Sequence, residues 1–178
     1  MKGVDTIVYE QIFSLEEFVE HIKNGRTNFS YCEFADDLEI NGEVTSECYD
    51  LTGFIFNHSV MNGIKFSNTK LNGSLFIATS LFHSEFSDCS VKCCNFNKAI
   101  LDKSRFERDD FSESTFVETS MNDLKSWNYK DNGLFGSVFD NAEIKAKDTM
   151  ISRGATIPAS LIVLAASVIT YLSVITFY

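Results

Sequence analysis

Histidine is scarce in this chain of 178 residues: three are present, His21, His58 and His83, and they are scattered. None is spaced to work with a nucleophile and an orienting acid, so no catalytic constellation is legible. The nine glycines form no phosphate-cradling loop. Basic residues are the minority, 15 against 25 acidic for a formal charge of −10, which leaves no Lys/Arg-rich surface for nucleic acid. The five cysteines, Cys32, Cys48, Cys89, Cys93 and Cys94, do not take a zinc spacing, and their odd number fits reduced thiols better than a disulfide framework. No signal-peptide pattern opens the chain, because Met1–Tyr9 is short and carries Asp5. No charged side chain follows Arg153. Together these absences point away from an enzyme, a cofactor, a metal and a nucleic-acid partner.

What is present is a beat. Every fifth residue from Phe56 to Met121 is large and apolar: Phe56, Met61, Phe66, Leu71, Phe76, Leu81, Phe86, Val91, Phe96, Leu101, Phe106, Phe111, Phe116, Met121. Neither a helix, with period ~3.6, nor a strand, with period ~2, uses such a repeat over this length. A short fixed repeat means a solenoid. Two residues before each large one stands a second inward position that is nearly always small, as at Ser59, Thr69, Ser74, Cys89, Cys94 and Ala99, with Ile64 and Asp109 as exceptions. The other three positions are mostly polar and face outward, Cys93 among them. Coils of this kind stack with their backbones paired like parallel strands at about 4.8 Å.

Segments such as Ser59–Gly63, Thr69–Gly73, Cys94–Lys98 and Ser137–Asn141 resemble the pentapeptide-repeat family, whose pattern is a small residue, Asp or Asn, Leu or Phe, then two polar positions. The match covers about half the chain. One departure is that the position before the large residue is seldom Asp or Asn, Asn95 and Asp110 being the cases. The resemblance implies an all-β solenoid, a right-handed quadrilateral β-helix with four repeats to a coil. Residues twenty apart then stack. Phe56, Phe76, Phe96 and Phe116 make one column and Phe66, Phe86 and Phe106 the column opposite, with aliphatic columns between them. These phenylalanines are core, each burial being worth roughly 1.5–3 kcal/mol before entropy.

Residues 1–49 form an acidic cap in this scheme. A capping box (Ser14 with Glu17) and a hydrophobic staple (Phe13 with Phe18) predict a helix over about 15–24, stopped by Gly25, and the stretch from Leu38 to Tyr49 predicts irregular first coils. The β-helix is expected over 50–148. Its frame slips after Met121 and resumes at Leu124, Tyr129 and Leu134, through a loop expected at 125–133. In that loop Trp127 and Tyr129 are the candidate partner contacts. Residues 157–178 are an almost unbroken apolar run, long enough for a transmembrane helix over 154–178, with Pro158 where a helix start tolerates it. The expectation is a single-pass tail anchor, the solenoid on the cytoplasmic side of a bacterial inner membrane, with Lys145, Lys147 and Arg153 beside the bilayer. Ala159, Ala166 and Ser173 offer a small-residue strip for a homo-oligomer.

Function follows from charge placement. Residues 1–49 hold 11 acidic and 3 basic side chains, residues 50–124 hold 10 and 7, and residues 125–178 hold 4 and 5. Some pentapeptide-repeat proteins resemble acidic duplex DNA and protect topoisomerases, but here Lys92, Lys98, Lys103, Arg105 and Arg108 interrupt the solenoid wall. The sequence therefore predicts a non-enzymatic, membrane-anchored scaffold or protein-interaction module in a defence, secretion or effector complex. The alternative is a topoisomerase-protecting resistance or immunity factor.

Overall fold

In the computed structural model, residues 9–127 are described. The chain opens with strand β1 (Glu10–Ile12) and helix α1 (Leu15–Lys23), then winds through β2 (Cys32–Phe34), β3 (Glu39–Asn41), β4 (Lys65–Ser67), β5 (Glu85–Ser87), β6 (Arg105–Glu107) and β7 (Ser126–Trp127). All pairings are parallel: β1 lies on β2, and β3 to β7 form one five-stranded sheet in chain order. Phe66 pairs with Phe86 and Phe86 with Phe106, an interval of twenty residues. Isolated bridges repeat that interval on the other three sides, as in Ile55–Leu75–Asn95–Thr115 and Val60–Ser80–Ile100–Ser120. The result is a four-sided coil. We label its sides by their inward columns: A (Phe56, Phe76, Phe96, Phe116), B (Met61, Leu81, Leu101, Met121), C (Phe66, Phe86, Phe106) and D (Leu51, Leu71, Val91, Phe111), all of them buried.

The two phenylalanine columns form as the spacing predicts. Rings stack along side A at 5.1 Å (Phe56–Phe76), 4.8 Å (Phe76–Phe96) and 5.1 Å (Phe96–Phe116), and along side C at 5.2 and 5.4 Å. Across the core they meet edge to face, Phe66–Phe76 at 77° and Phe86–Phe96 at 81°, the geometry that ring quadrupoles favour. Corners turn two residues after each large one, where the backbone takes positive φ, as at His58 (59°), Ala78 (53°) and Glu113 (62°). Only glycine adopts that region freely, and Gly53, Gly63 and Gly73 supply it in the early coils.

Polar side chains complete the main-chain accounting. The carboxamides of Asn57, Asn62, Asn72 and Asn97 each accept the amide N–H of the residue one coil on, Ile77, Phe82, Lys92 and Val117. Inside the coil, Ser74 Oγ accepts from Phe54 N at 3.1 Å and donates to Leu51 O at 2.8 Å. Ser74→Ala is expected to lower stability by about 1 kcal/mol, the net worth of the lost hydroxyl bonds, because Phe54 N still reaches Leu51 O at 3.3 Å. Denaturant midpoints of the two proteins test it, and an unchanged midpoint would show the hydroxyl to be dispensable.

The N-terminal end is closed by α1. Ser14 Oγ accepts from Glu17 N, as the capping box predicts, while the returning bond falls one residue early, Glu17 Oε2 accepting from Phe13 N instead of Ser14 N. Gly25 stops the helix at φ 81°. The staple does not form: Phe13 is 71% exposed, because Phe18 turns instead onto Phe29 and Phe34 at the open end of the core, at 4.9 and 5.7 Å. The first coil is longer than the rest, Ile40 pairing with Phe66 across 26 residues. The surplus folds as a short 3-10 turn at Ser46–Cys48. Here Gly42 is required sterically, since a Cβ would fall 2.2 Å from Asn68 O.

Two expectations change. Within the loop expected over 125–133, Ser126 and Trp127 are paired as β7 with Arg105 and Phe106, and residues 128–133 lie outside the described residues. One residue beyond the usual twenty separates Phe106 from Trp127, enough to restore the register. The membrane placement is also corrected: among the described residues no helix is long and apolar enough to cross a membrane. The one α-helix there has nine residues and carries Glu16, Glu17, Glu20 and Lys23, whereas a span needs about 20 apolar ones. The transmembrane helix and small-residue strip expected over 154–178 lie outside the described residues, as do the β-helix residues 128–148 and Tyr129.

Candidate interaction face

The three histidines lie in separate surroundings. His21 lies on α1 within 3.9 Å of Glu10, His58 stacks on Tyr31 at 5.0 Å, and His83 contacts Lys125. Burial pushes the Cys89 and Cys94 thiols up to about 12, and a hydrogen bond to Glu113 raises that of exposed Cys93, so these thiols stay protonated and weakly nucleophilic. Among the described residues no group of His, Cys, Asp and Glu could hold a metal ion. Trp127 occupies the register position that follows Phe66, Phe86 and Phe106 in the side C column. The phenylalanines of sides A and C are buried and offer no surface.

The outward positions of the four sides differ in a way the inward columns do not reveal. Side C stacks opposite charges in register, Glu39 on Lys65, Lys65 on Glu85 and Glu85 on Arg105. Arg105 also meets Glu107 at 2.9 Å. At the adjoining corner Arg108 grips Asp88 with two bonds of 2.6 Å, which hold that carboxyl below its usual range. On side D, Lys92 pairs with Asp110 at 2.9 Å. Acids on these sides are therefore answered by bases.

Side A carries no charge. Its outward columns read Asn28, Ile55, Leu75, Asn95, Thr115 and Ser30, Asn57, Ile77, Asn97, Val117. All ten positions are uncharged, against eleven charged among the 26 outward positions of the other sides, so side A is set apart from its neighbours. The asparagine carbonyls are spent on main-chain amides: Asn28 on Ser30, Asn95 on Asn97, Asn57 on Ile77 and Asn97 on Val117. What projects is the half-buried apolar set Ile55, Leu75, Ile77 and Val117. Around the corner at Ala78 it continues into Val60, Phe82 and Ile100 of side B, the last two 39% and 45% exposed. Outward residues grouped by twenty mark this face in the sequence. Uncharged Leu71–Ser84 is the coil that centres it.

No family model matches the chain, and no curated protein matches it. Solved structures are similar to it. One is a pentapeptide repeat protein from the Arabidopsis thaliana thylakoid lumen, 17% identical with a TM-score of 0.35, the match covering 59% of this chain and 60% of that one. Another is Rfr23, a pentapeptide repeat protein from the cyanobacterium Cyanothece 51142, 8% identical with a TM-score of 0.44, over 74% of this chain and all of that one. A third is QnrB1, a plasmid-mediated fluoroquinolone resistance protein, 16% identical with a TM-score of 0.20, over 64% and 78%. At such scores the overlays add nothing to the geometry above. The five-residue beat, the twenty-residue pairing interval and the alternation of small and large inward columns are this chain's own, and by them it has the four-sided coil of the pentapeptide-repeat fold.

Proposed function

We propose that the chain is a non-enzymatic protein-interaction module whose rigid coil presents side A to a protein partner. The observation that carries this is the contiguous uncharged face in a chain of net charge −10. A partner docking there desolvates no ion, whereas docking on side C or D would have to strip paired charges of water. The topoisomerase-protecting alternative asks for a continuous acidic wall, and the acids of sides C and D are interleaved with Lys65, Lys70, Lys92 and Arg105.

The test compares variants built to keep the fold. Leu75→Asn with Ile77→Asn extends columns that already hold Asn95, Asn57 and Asn97. A tagged full-length chain should lose its co-purifying partner at least tenfold on that double substitution and keep it on Glu85→Gln with Arg105→Gln. Retention by the side A variant, or loss by the side C variant alone, defeats the proposal.

A further inference from the structure

The occupant of side A can be taken further, on the footing that side A is the interaction face. We infer that it receives a single α-helix of the partner, laid along the coil axis and carrying an uncharged, apolar stripe. Three observations converge on it.

The first is size. From Asn28 to Thr115 the face spans five coils, four steps of about 4.8 Å or roughly 19 Å, and one side of a coil is about 10 Å wide. Even with Val60, Phe82 and Ile100 around the corner, which about double its width, the face stays well below the ~800 Å² that each partner of a stable globular interface or dimer covers. Side A alone matches the ~10 Å diameter of a helix, and about 13 helical residues span its height.

Main-chain saturation is the second. Leu75 N donates to Phe54 O at 2.9 Å and Leu75 O accepts from Phe56 N at 2.8 Å, and Asn95 and Thr115 repeat the pattern along the side. Backbone groups on this face already bind the coils above and below, so an added strand would find no edge to pair with. Recognition has to come from side chains.

Third, the apolar residues are spaced for a helix. Ile55 stands one coil before Leu75 and Ile77, and Val117 two coils after them. A coil step of about 4.8 Å is close to the ~5.4 Å helical pitch, so knobs one turn apart can meet successive coils, with a drift of about 0.6 Å per turn. That drift limits the match to three or four turns, the height of the face. Charge agrees: the strip itself holds no charge to answer an ion in the stripe, and of the corner charges beside it Lys98 and Glu118 pair at 3.6 Å while Glu113 accepts from Cys93 Sγ at 3.5 Å.

The probe is a fluorescein-labelled, stapled peptide of about 14 residues, with leucines in one stripe and Gln and Ala elsewhere, titrated by anisotropy into the full-length chain. It should bind wild type and Glu85→Gln alike. Binding should weaken at least tenfold to Leu75→Asn/Ile77→Asn of unchanged melting temperature, and likewise when the peptide's leucines are replaced by glutamate. No binding to wild type, equal binding of the glutamate peptide, or equal binding to the side A variant overturns the helix. So does concentration-dependent dimerisation abolished by that variant, which would make the occupant a second copy. If the co-purifying partner is still lost from the side A variant while the peptide fails, the interaction face stands and the helical occupant does not.

Discussion

Phe86→Asp is expected to yield a chain with no cooperative melting transition and no parallel-sheet signature at neutral pH. Phe86 is fully buried at mid-ladder, stacked on Phe66 and Phe106 at 5.2 and 5.4 Å and set edge-on to Phe96 and Phe111, both at 6.4 Å. Truncating such a ring costs about 3–5 kcal/mol. The new carboxylate adds a desolvation cost of several kcal/mol with no cation in the column to meet it. Their sum consumes the roughly 5–15 kcal/mol by which a domain is stable. Damage also spreads, because each coil of a solenoid is held only by its neighbours. Phe86→Leu, as at Leu81 and Leu101 of side B, is the control and should fold with a modest loss. Circular dichroism with a thermal melt decides between the two, and a Phe86→Asp protein that melts normally would refute the placement of that ring.

How much of this was legible in the sequence depended on what the period could carry. Phe56 to Phe116 were legible because a strict interval of five, counted four at a time, fixes which side chains share a column whatever the turns do. Helix α1 was legible through Ser14 and Glu17, whose bonds are local. Phe13 was misread because a staple is also a local rule, while the open end of the core offers Phe18 more apolar surface than Phe13 can. The long first coil was visible only as a break. Its closure depends on Gly42 passing Asn68, a contact between residues far apart in sequence that no period encodes. Trp127 looked like a loop aromatic because the beat fails after Met121, yet one extra residue suffices to return the chain to register. Side A is hard to read for a different reason: its signal is the absence of charge in two outward columns, which the five-residue beat of large residues does not mark.

Asp109→Thr is expected to stabilise the protein at pH 8 and to remove most of its pH dependence between pH 5 and 8. Asp109 occupies a small-residue position in the column of Thr69 and Cys89 and is 1% exposed. Burial raises its carboxyl from 3.8 to about 7, although Oδ1 accepts from Cys89 N at 2.9 Å and Oδ2 from Glu107 N at 3.0 Å, bonds that favour the charged form. The direction of the linkage follows. In the unfolded chain the group ionises near 3.8, so between there and about 7 the native state holds a proton that the unfolded state has released. Stability from this group is complete below 3.8, declines as pH rises, and settles above about 7 at a cost on the order of 4 kcal/mol. From pH 5 to 8 the wild type should therefore lose on the order of 3 kcal/mol at this site. Threonine has nearly the volume of aspartate, and at position 69 its Oγ1 donates to Ser67 O at 2.9 Å, so at 109 the same bond to Glu107 O is available. The Glu107 N–H is at a half-buried position and can return to water, whereas the buried Cys89 N–H loses its Oδ1 acceptor at a cost of about 1–3 kcal/mol, which offsets part of the gain at pH 8. Acid losses from Glu10 and Asp88, whose hydrogen bonds to Arg26 and Arg108 hold their carboxyls low, fall below this window. Urea melts of both proteins at pH 5 and 8 give the four free energies needed. A wild type equally stable at the two pH values, or a threonine variant that keeps the slope, would mean that the carboxyl is ionised in the native coil throughout and that the two amide bonds outweigh its burial.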